Sequence, residues 1–235
     1  MTNMSLTNQH DIITSKASEE QWSHSLEQLL ARWSGVKKVR KQDRSRRRQH
    51  EILRAALRVF ARDGILRSRI GDIATESGMP VSSIYEYYSG KEELAYAVPL
   101  ERYAAFFTEY AKGAAELITA RERLKYYLWL SVDFARRNPD WARTLYLEIW
   151  PSVLVKDTSV QEVIDDYGRM VIRLIRLGET RGEWPAVDNV YEIAAILNGS
   201  ISQTIINWLI YRQPKQLMKA TDQLLNRIFR LLDQP

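Results

Sequence analysis

The sequence predicts an all-α protein of about nine helices plus an extra N-terminal helix. From about residue 45 onward, apolar residues recur at three- and four-residue steps, which is the period of an amphipathic helix. Glycine and proline punctuation divides this stretch into segments of helix length, and no alternating strand-like block or internal repeat is found in it. The 235 residues therefore fit one large helical domain or two modest ones.

Residues 1–44 are predicted to form an N-terminal extension. Residues 1–18 are polar and predict a disordered tail. A short amphipathic helix follows, because large apolar residues recur at helical spacing between Trp22 and Trp33 before Ser34-Gly35 ends the run. Its two tryptophans need a partner surface, which is either the body of this protein or a second protein.

The formal net charge of +5 is concentrated in one basic stretch. Residues 36–50 sum to +7, whereas residues 1–35 sum to −2, residues 51–91 to +1 and residues 92–235 to −1. Such a charge density repels itself, so we expect a flexible basic arm. On charge alone the arm is a solvated linker, or it binds nucleic acid or an anionic membrane surface.

Several kinds of protein are disfavoured by residues that the chain lacks or misplaces. The absence of cysteine excludes disulfides, Cys-ligated zinc and thiol nucleophiles. The three histidines lie in the first fifty residues without ligand spacing, so we expect no catalytic residues, no metal and no cofactor. No apolar run approaches the roughly 18 to 20 residues that span a bilayer, and the first residues do not resemble a signal peptide. We therefore expect a soluble cytoplasmic protein without a membrane partner.

Residues 45–91 are predicted to form three short helices. The segment RRRQHEILRAALRVFARDG has an apolar face that includes Ile52 and Phe60, and Gly64 suits the left-handed position after a helix. A second helix lies near Arg69–Ser77 and ends at Gly78. A third begins with Pro80 and runs through VSSIYEYY, with Ile84 facing inward.

The spacing of these helices is that of a helix-turn-helix. Ala74 is followed by Gly78 after four residues and by Ile84 after ten. The small alanine lets two helices approach, the glycine supplies the positive φ of a tight turn, and the isoleucine seats the third helix. The exposed face of that helix is then free to enter a major groove of DNA.

The run GILRSRIGDIATESGMPVSSIYEYYSGKEEL, residues 64–94, resembles the DNA-binding domain of TetR/AcrR-family transcriptional regulators. The resemblance covers about residues 47–95, and the defining positions are Ile73, Ala74, Gly78, Tyr85, Lys91 and Leu94. Three residues depart from the family pattern: Tyr88 replaces a phenylalanine, Pro80 a serine and Arg69 a threonine.

This resemblance implies how the domain would contact DNA. The expected phosphate contacts are Ser68, Tyr85, Tyr87 and Lys91, although Tyr85 and Tyr87 alternatively pack within the domain. Base readout is expected from Val81, Ser82, Ser83 and Glu86. The arm residues Arg46, Arg47 and Arg48 are expected to reach phosphates or an adjacent minor groove.

Residues 92–235 are predicted to form a ligand-binding and dimerisation domain with helices at about 91–113, 121–138, 140–150, 157–182, 188–211 and 215–232. Aromatic residues crowd the first three of these helices. Any one of them at helical spacing is more often ordinary core than pocket, but their number exceeds the needs of one small bundle and favours a sizeable apolar cavity. The candidate ligand-binding residues are Tyr103, Phe106, Phe107, Tyr110, Tyr126, Trp129, Asp133, Trp141, Tyr146, Trp150, Arg173, Asn198 and Gln203.

The last two helices resemble the pair that forms the family's two-fold four-helix interface. The candidate interface residues are Ile201, Ile205, Trp208, Leu217, Leu224 and Ile228. Residues 175–188 and 193–208 also look like the C-terminal domain of regulators of fatty-acid metabolism, which respond to long-chain acyl-CoA.

The resemblance thus implies a dimeric repressor that binds a palindromic double-stranded DNA operator and is released by a small apolar or aromatic effector. The effector would shift the helix that begins at Lys91 and so change the separation of the two DNA-binding domains. Two alternatives remain open. One is an all-α enzyme that uses the aromatic cavity, and the other is a protein-interaction module.

Overall fold

The computed structural model describes residues 43–152 and 158–233, and within these ranges the chain is helical without a strand. Nine α-helices follow one another, and the all-α prediction is confirmed. They are α1 Asp43–Asp63, α2 Ile70–Ser77, α3 Val81–Tyr85, α4 Lys91–Ala114, α5 Ala120–Arg137, α6 Pro139–Arg143, α7 Thr158–Thr180, α8 Val190–Tyr211 and α9 Leu217–Ile228. A π-helix, Thr144–Ile149, continues α6, and a 3₁₀ turn, Phe229–Leu232, continues α9.

The described part of the basic stretch, from Asp43 onward, is helical rather than a flexible arm. Helix α1 begins at Asp43, so Arg46, Arg47 and Arg48 lie in its first two turns and the predicted domain boundary at residue 45 falls inside it. Arginine is a good helix former, and extending an existing helix by one residue costs far less than nucleating a new one. The predicted disordered tail, the Trp22–Trp33 helix and the basic residues before Asp43 lie outside the described residues.

Helices α1 to α3 and the first two turns of α4 form one small unit, which we call the head (residues 43–98). Its core is mostly aliphatic and includes Ile52, Val59, Ile73, Ile84 and Leu94. Helix α3 is shorter than predicted, because after Tyr85 the chain tightens into a turn in which the backbone amide of Tyr87 donates to the carbonyl of Ile84 at 3.0 Å.

The remaining described residues, 99–152 and 158–233, form the body, whose core is aromatic. Phe106 lies at its centre and contacts the rings of Phe107, Tyr127, Phe134 and Tyr167 at centroid distances of 5.4 to 6.1 Å. Ring pairs at these distances and tilts stabilise the fold in addition to the stabilisation that comes from burying apolar area. The centre of the body is therefore filled by side chains that depend on one another for position.

A closed set of hydrogen bonds joins α5 to α7 inside this core. The Tyr167 hydroxyl donates to Ser131 Oγ at 2.8 Å, and that hydroxyl donates to the Tyr127 carbonyl at 2.7 Å. The Tyr127 hydroxyl in turn donates to the Tyr167 carbonyl at 3.2 Å. Buried hydroxyls need partners of this kind because an unpaired polar group is costly in an apolar interior.

Helix α8 is more apolar than the sequence suggested. By length and composition it could cross a membrane, since an 18-residue window in it has a mean hydropathy of 1.3. Isolated polar residues such as Asn198 and Gln203 interrupt the apolar sequence of α8 but lower its mean hydropathy only slightly. Only 28% of that window is buried, so much apolar surface of α8 is open in the single chain.

Candidate functional site

The turn between α2 and α3 has the geometry that the sequence spacing predicts. Gly78 has φ of 68°, and the Met79 amide donates to the Ala74 carbonyl at 3.1 Å, which closes the end of α2. At the other end of α2, Asp72 accepts a hydrogen bond from the Arg69 amide at 2.8 Å. The two helices are thus fixed relative to each other by backbone contacts and a short cap.

Helix α3 presents most of the predicted base-reading residues to solvent. The side chains of Val81, Ser82 and Glu86 are exposed, and Ser83 is half-buried. Val81 is 42% exposed although it is apolar, while Ile84 on the opposite side is fully buried. One side of α3 therefore holds it in the head, and the other is free to contact a partner.

The predicted phosphate contacts fall into two groups. Tyr85 is 54% exposed, and Lys91 is the first residue of α4, where its Nζ donates to the Leu66 carbonyl at 3.2 Å. Tyr87 is half-buried against the head core. Ser68 is only 3% exposed and its hydroxyl donates to the Gly64 carbonyl at 2.6 Å, so its side chain is buried in the head and not open to a phosphate.

Two exposed arginines near this surface were missed. Arg69 is the N-cap of α2, where a cation joins a helix N-terminus, and Arg67 Nε donates to the Asp63 carbonyl at 2.8 Å. The departure of Arg69 from the family's usual threonine was the signal that could have found it. Arg58, in contrast, binds Glu76 at 2.6 Å, and this contact lowers the pKa of the Glu76 carboxyl.

Six of the predicted ligand-binding residues do meet in the aromatic core of the body. They are Tyr103, Phe106, Phe107, Tyr110, Trp141 and Tyr146. Burial raises the pKa of the phenols of Tyr103, Tyr110 and Tyr146, so they stay neutral at ordinary pH. Trp141 Nε1 is buried and has no hydrogen-bond partner among the described residues, which leaves a donor for a ligand or a water.

A small pocket reaches this core from the junction with the head. Its volume is about 180 Å³, and its walls include Leu57 of α1, Arg102 of α4 and Trp141 of α6. A second, open groove of about 350 Å³ lies on the outside of the body, where Tyr126 and Trp129 line it. These two predicted ligand residues therefore face a different space from the core aromatics.

The remaining predicted ligand residues are dispersed. Asp133 is held by Arg136 and Arg137, each at 2.7 Å, and Trp150 stacks on Tyr146. Arg173 and Asn198 are half-buried, and Asn198 Oδ1 has no partner among the described residues. Gln203 is exposed and donates to Asn207 at 2.8 Å, so it lies apart from the aromatic core.

The predicted dimer face of α8 needs correction. Ile201 and Ile205 are 0% exposed within one chain and Leu217 is also buried, so these three stabilise the subunit itself. Trp208, Leu224 and Ile228 are half-buried. Because α8 is apolar around much of its circumference, its sequence pattern does not distinguish the inner face from the outer one. The large apolar residues that α8 leaves exposed are Tyr191, Ile196, Ile210 and Tyr211.

Comparison with known proteins identifies the head. Residues 52–98 match the family model for bacterial regulatory proteins of the tetR family. The head is a DNA-binding domain of the tetR family. The match begins at the first buried residue of the α1 core face and ends at the last residue of the head, so it covers α2, α3 and their turn completely.

The regulator also has relatives along most of its length. It is 23% identical over 175 residues to the fatty acid metabolism regulator protein of Bacillus subtilis, which covers 74% of this chain and 90% of that protein. Over 110 residues it is 32% identical to the transcriptional repressor NicS of Pseudomonas putida, covering 47% of this chain and 51% of NicS.

Solved structures share the fold over most of the chain. The crystal structure of FadR from Bacillus subtilis in complex with stearoyl-CoA matches with a TM-score of 0.72 at 22% identity, covering 77% of this chain and 97% of that one. FadR from Bacillus halodurans matches with a TM-score of 0.69 at 21% identity, covering 84% of this chain and 97% of that one. At these identities the likeness shows the arrangement of helices.

Proposed function

We propose that this regulator is a homodimeric repressor that binds a palindromic operator through α2 and α3 and is released by an effector of the long-chain acyl-CoA class. The single observation that carries the proposal is the α2–α3 pair, whose inner side is buried in the head while its outer side is exposed, with Arg69 at the N-terminus of α2. A helix that is buried on one side and free on the other can lie in a major groove.

In this proposal the residues of the head have separate roles. Val81, Ser82 and Glu86 contact base edges and so select the sequence, while Ser83 supports them. Tyr85, Lys91 and Arg69 bind phosphates near two helix N-termini. The arginines of the first turns of α1, Arg46 to Arg48, contribute affinity without sequence preference.

The proposed dimer covers the open apolar surface of α8. Tyr191, Ile196, Ile210 and Tyr211 would meet the same residues of a second copy, because a two-fold interface is self-complementary. A covered α8 also explains its hydropathy without a membrane, so we expect a cytoplasmic location. Two heads related by this axis would reach half-sites about 34 Å apart, which is one turn of DNA.

The proposed effector binds in the aromatic core of the body. Because Tyr103, Phe106 and Tyr146 fill this core, an apolar chain would displace and then contact their rings. Trp141 Nε1, which has no partner among the described residues, offers a hydrogen bond to a carbonyl. The complex of a structural relative with stearoyl-CoA supports this class of ligand. Because the relatives are transcriptional regulators, we expect binding without turnover and no enzymatic activity.

The DNA contacts are tested by binding measurements at several salt concentrations, with a duplex selected from random sequences by the wild-type protein. Replacing Arg46, Arg47 and Arg48 by alanine is expected to weaken binding to every duplex and to reduce the slope of log affinity against log salt by about 0.9 per lost phosphate contact. The control replaces three exposed arginines of the body: Arg176, Arg227 and Arg230. An unchanged slope in the head variant contradicts the proposed contacts.

The effector is tested by adding palmitoyl-CoA, free CoA or palmitate to the protein–duplex complex. Palmitoyl-CoA is expected to release the duplex, whereas free CoA is not, because only the former carries an apolar chain into the aromatic core. Mass spectrometry of ligands that copurify with the protein gives an independent identification. If palmitoyl-CoA binds nowhere on the protein, the acyl-CoA class is excluded.

A further inference from the structure

One short segment contributes to the cores of both the head and the body. In the π-helix Thr144–Ile149, Leu145 and Tyr146 are buried in the body, whereas Ile149, only three residues later, is buried among the residues of the head. A π-helix is rare, and where it occurs it often marks a functional position, because its geometry is less stable than that of an α-helix.

The same segment forms a hydrogen bond with the turn between α1 and α2. Glu148 Oε2 accepts a hydrogen bond from the Ile65 backbone amide at 3.2 Å. This contact joins residues 83 positions apart in the sequence and crosses from the body to the head. A carboxylate that binds a buried amide is a strong acceptor, since the bond is assisted by its charge.

The backbone at the turn is shaped to receive this carboxylate. Gly64 has φ of 79°, and a Cβ added to it would lie 3.2 and 3.3 Å from the two Glu148 oxygens. Only glycine fits that conformation and that approach without displacing the carboxylate. Four and five residues later the same loop reaches Ser68 and Arg69, where α2 begins, so the position of Ile65 sets the position of α2.

We propose that Glu148 is the positioning residue that holds the DNA-reading helices in register with the body, and that the π-helix is the element through which the body controls them. This inference rests on the proposed function for its effector, but not for the role of Glu148. The contact bypasses the helix that begins at Lys91, because it reaches the α1–α2 turn directly.

The physical basis of the control is the geometry of the segment. Tyr146, within the segment, and Trp150, the residue that follows it, stack at 5.5 Å and pack against the body core, so a ligand that displaces either ring acts on the π-helix itself. If the π-helix relaxes to an α-helix, the residues after the change rotate by about 100° about the axis. Such a rotation removes the Glu148 carboxylate from Ile65 and withdraws Ile149 from the head core.

The role of Glu148 is tested with three variants and no effector. Glu148→Ala removes the acceptor, and Glu148→Gln keeps an acceptor of the same length. The matched control is Glu179→Ala, because Glu179 also accepts a backbone amide, that of Val187 at 2.6 Å, but lies wholly within the body. Hydrogen–deuterium exchange of the Ile65 amide and affinity for the selected duplex are measured for each, after thermal unfolding confirms that each variant folds.

Glu148→Ala is expected to accelerate exchange at Ile65 by about tenfold and to weaken duplex binding by a similar factor, as the loss of a charged hydrogen bond implies. Glu148→Gln should stay close to the wild-type protein in both the exchange rate at Ile65 and the affinity for the duplex. Glu179→Ala should change neither quantity. Equal behaviour of Glu148→Ala and Glu179→Ala, or unchanged exchange at Ile65, overturns the proposal.

The control by the body is tested with palmitoyl-CoA on the wild-type protein. If palmitoyl-CoA releases the duplex, exchange at Ile65 is expected to accelerate in its presence, and unchanged exchange overturns the proposed route. If palmitoyl-CoA leaves duplex binding unchanged, the effector class of the proposed function fails, while the variants of Glu148 still decide the positioning role.

Discussion

The head and the body of this regulator use different kinds of core. The head packs aliphatic side chains such as Ile52, Ile73 and Ile84 under the surface that we propose reads DNA. The body packs rings around Phe106 and encloses hydroxyl groups, and our proposed effector site lies in this interior. A surface site can be altered one residue at a time, whereas an interior site is coupled to stability.

Alkaline pH is expected to produce the largest difference between the two regions, because it lowers the stability of the body more than that of the head. Burial raises the pKa of Tyr167 to about 12, and the pKa values of Tyr103, Tyr110, Tyr127 and Tyr146 are also raised by burial. An unfolded chain loses these protons near pH 10 while the folded protein keeps them, so the free energy of unfolding falls as the pH rises above about 10. At about pH 11 each such phenol lowers it by about 1 kcal/mol.

The head contributes one such group, Tyr88, whose pKa burial raises to about 12. Urea unfolding at about pH 8 and about pH 11 measures the loss, and tyrosinate absorbance shows when the phenols ionise. Equal stability at the two pH values would show that the body does not keep its phenols protonated.

Removing one ring from the body is expected to have the next largest effect. Phe106→Ala leaves a cavity against four other rings and should lower the free energy of unfolding by about 3–5 kcal/mol. Ile118→Ala, at a residue that is 79% exposed, is the control and should change little. A loss below about 1 kcal/mol for Phe106→Ala would mean that the core readily collapses around the gap.

Alanine substitutions at two glycines of the head are expected to change the free energy of unfolding in opposite directions. Gly78→Ala forces a side chain into a φ of 68° with no neighbour within 4 Å, so it should lower stability by about 1–2 kcal/mol through backbone strain alone. Gly71→Ala, within α2 and equally open, should raise stability by about 0.5–1 kcal/mol. Thermal unfolding measures both, and the same sign for both would refute the left-handed turn.

The smallest effect on stability is expected for the reading surface. Val81→Ala should change the free energy of unfolding by no more than about 0.5 kcal/mol, because the side chain is 42% exposed. Selection of duplexes from random sequences should nevertheless show a changed preference at one base pair of each half-site. An unaltered preference would place Val81 outside the base contacts.

The two regions also differed in how far the sequence could predict them. The helix-turn-helix follows from local constraints, since Ala74, Gly78 and Ile84 act within ten residues of one another. Boundaries of the body helices were likewise predicted to within a few residues. The inner face of α8 was not, because Ile201 and Ile205 cannot be distinguished by pattern from exposed apolar neighbours. The contact between Glu148 and Ile65 depends on long-range packing, which no local spacing encodes.

The hydrogen bonds between Tyr167, Ser131 and Tyr127 have a consequence for how such a body can diverge. Each of these three residues forms a hydrogen bond with the other two. A descendant that loses the Ser131 hydroxyl therefore leaves the buried Tyr167 hydroxyl without its acceptor. We expect Tyr167 and Ser131 to be replaced together during evolution, by phenylalanine and alanine respectively. Effector preference would then evolve in coordinated steps, while the exposed residues of α3 drift independently toward new operators.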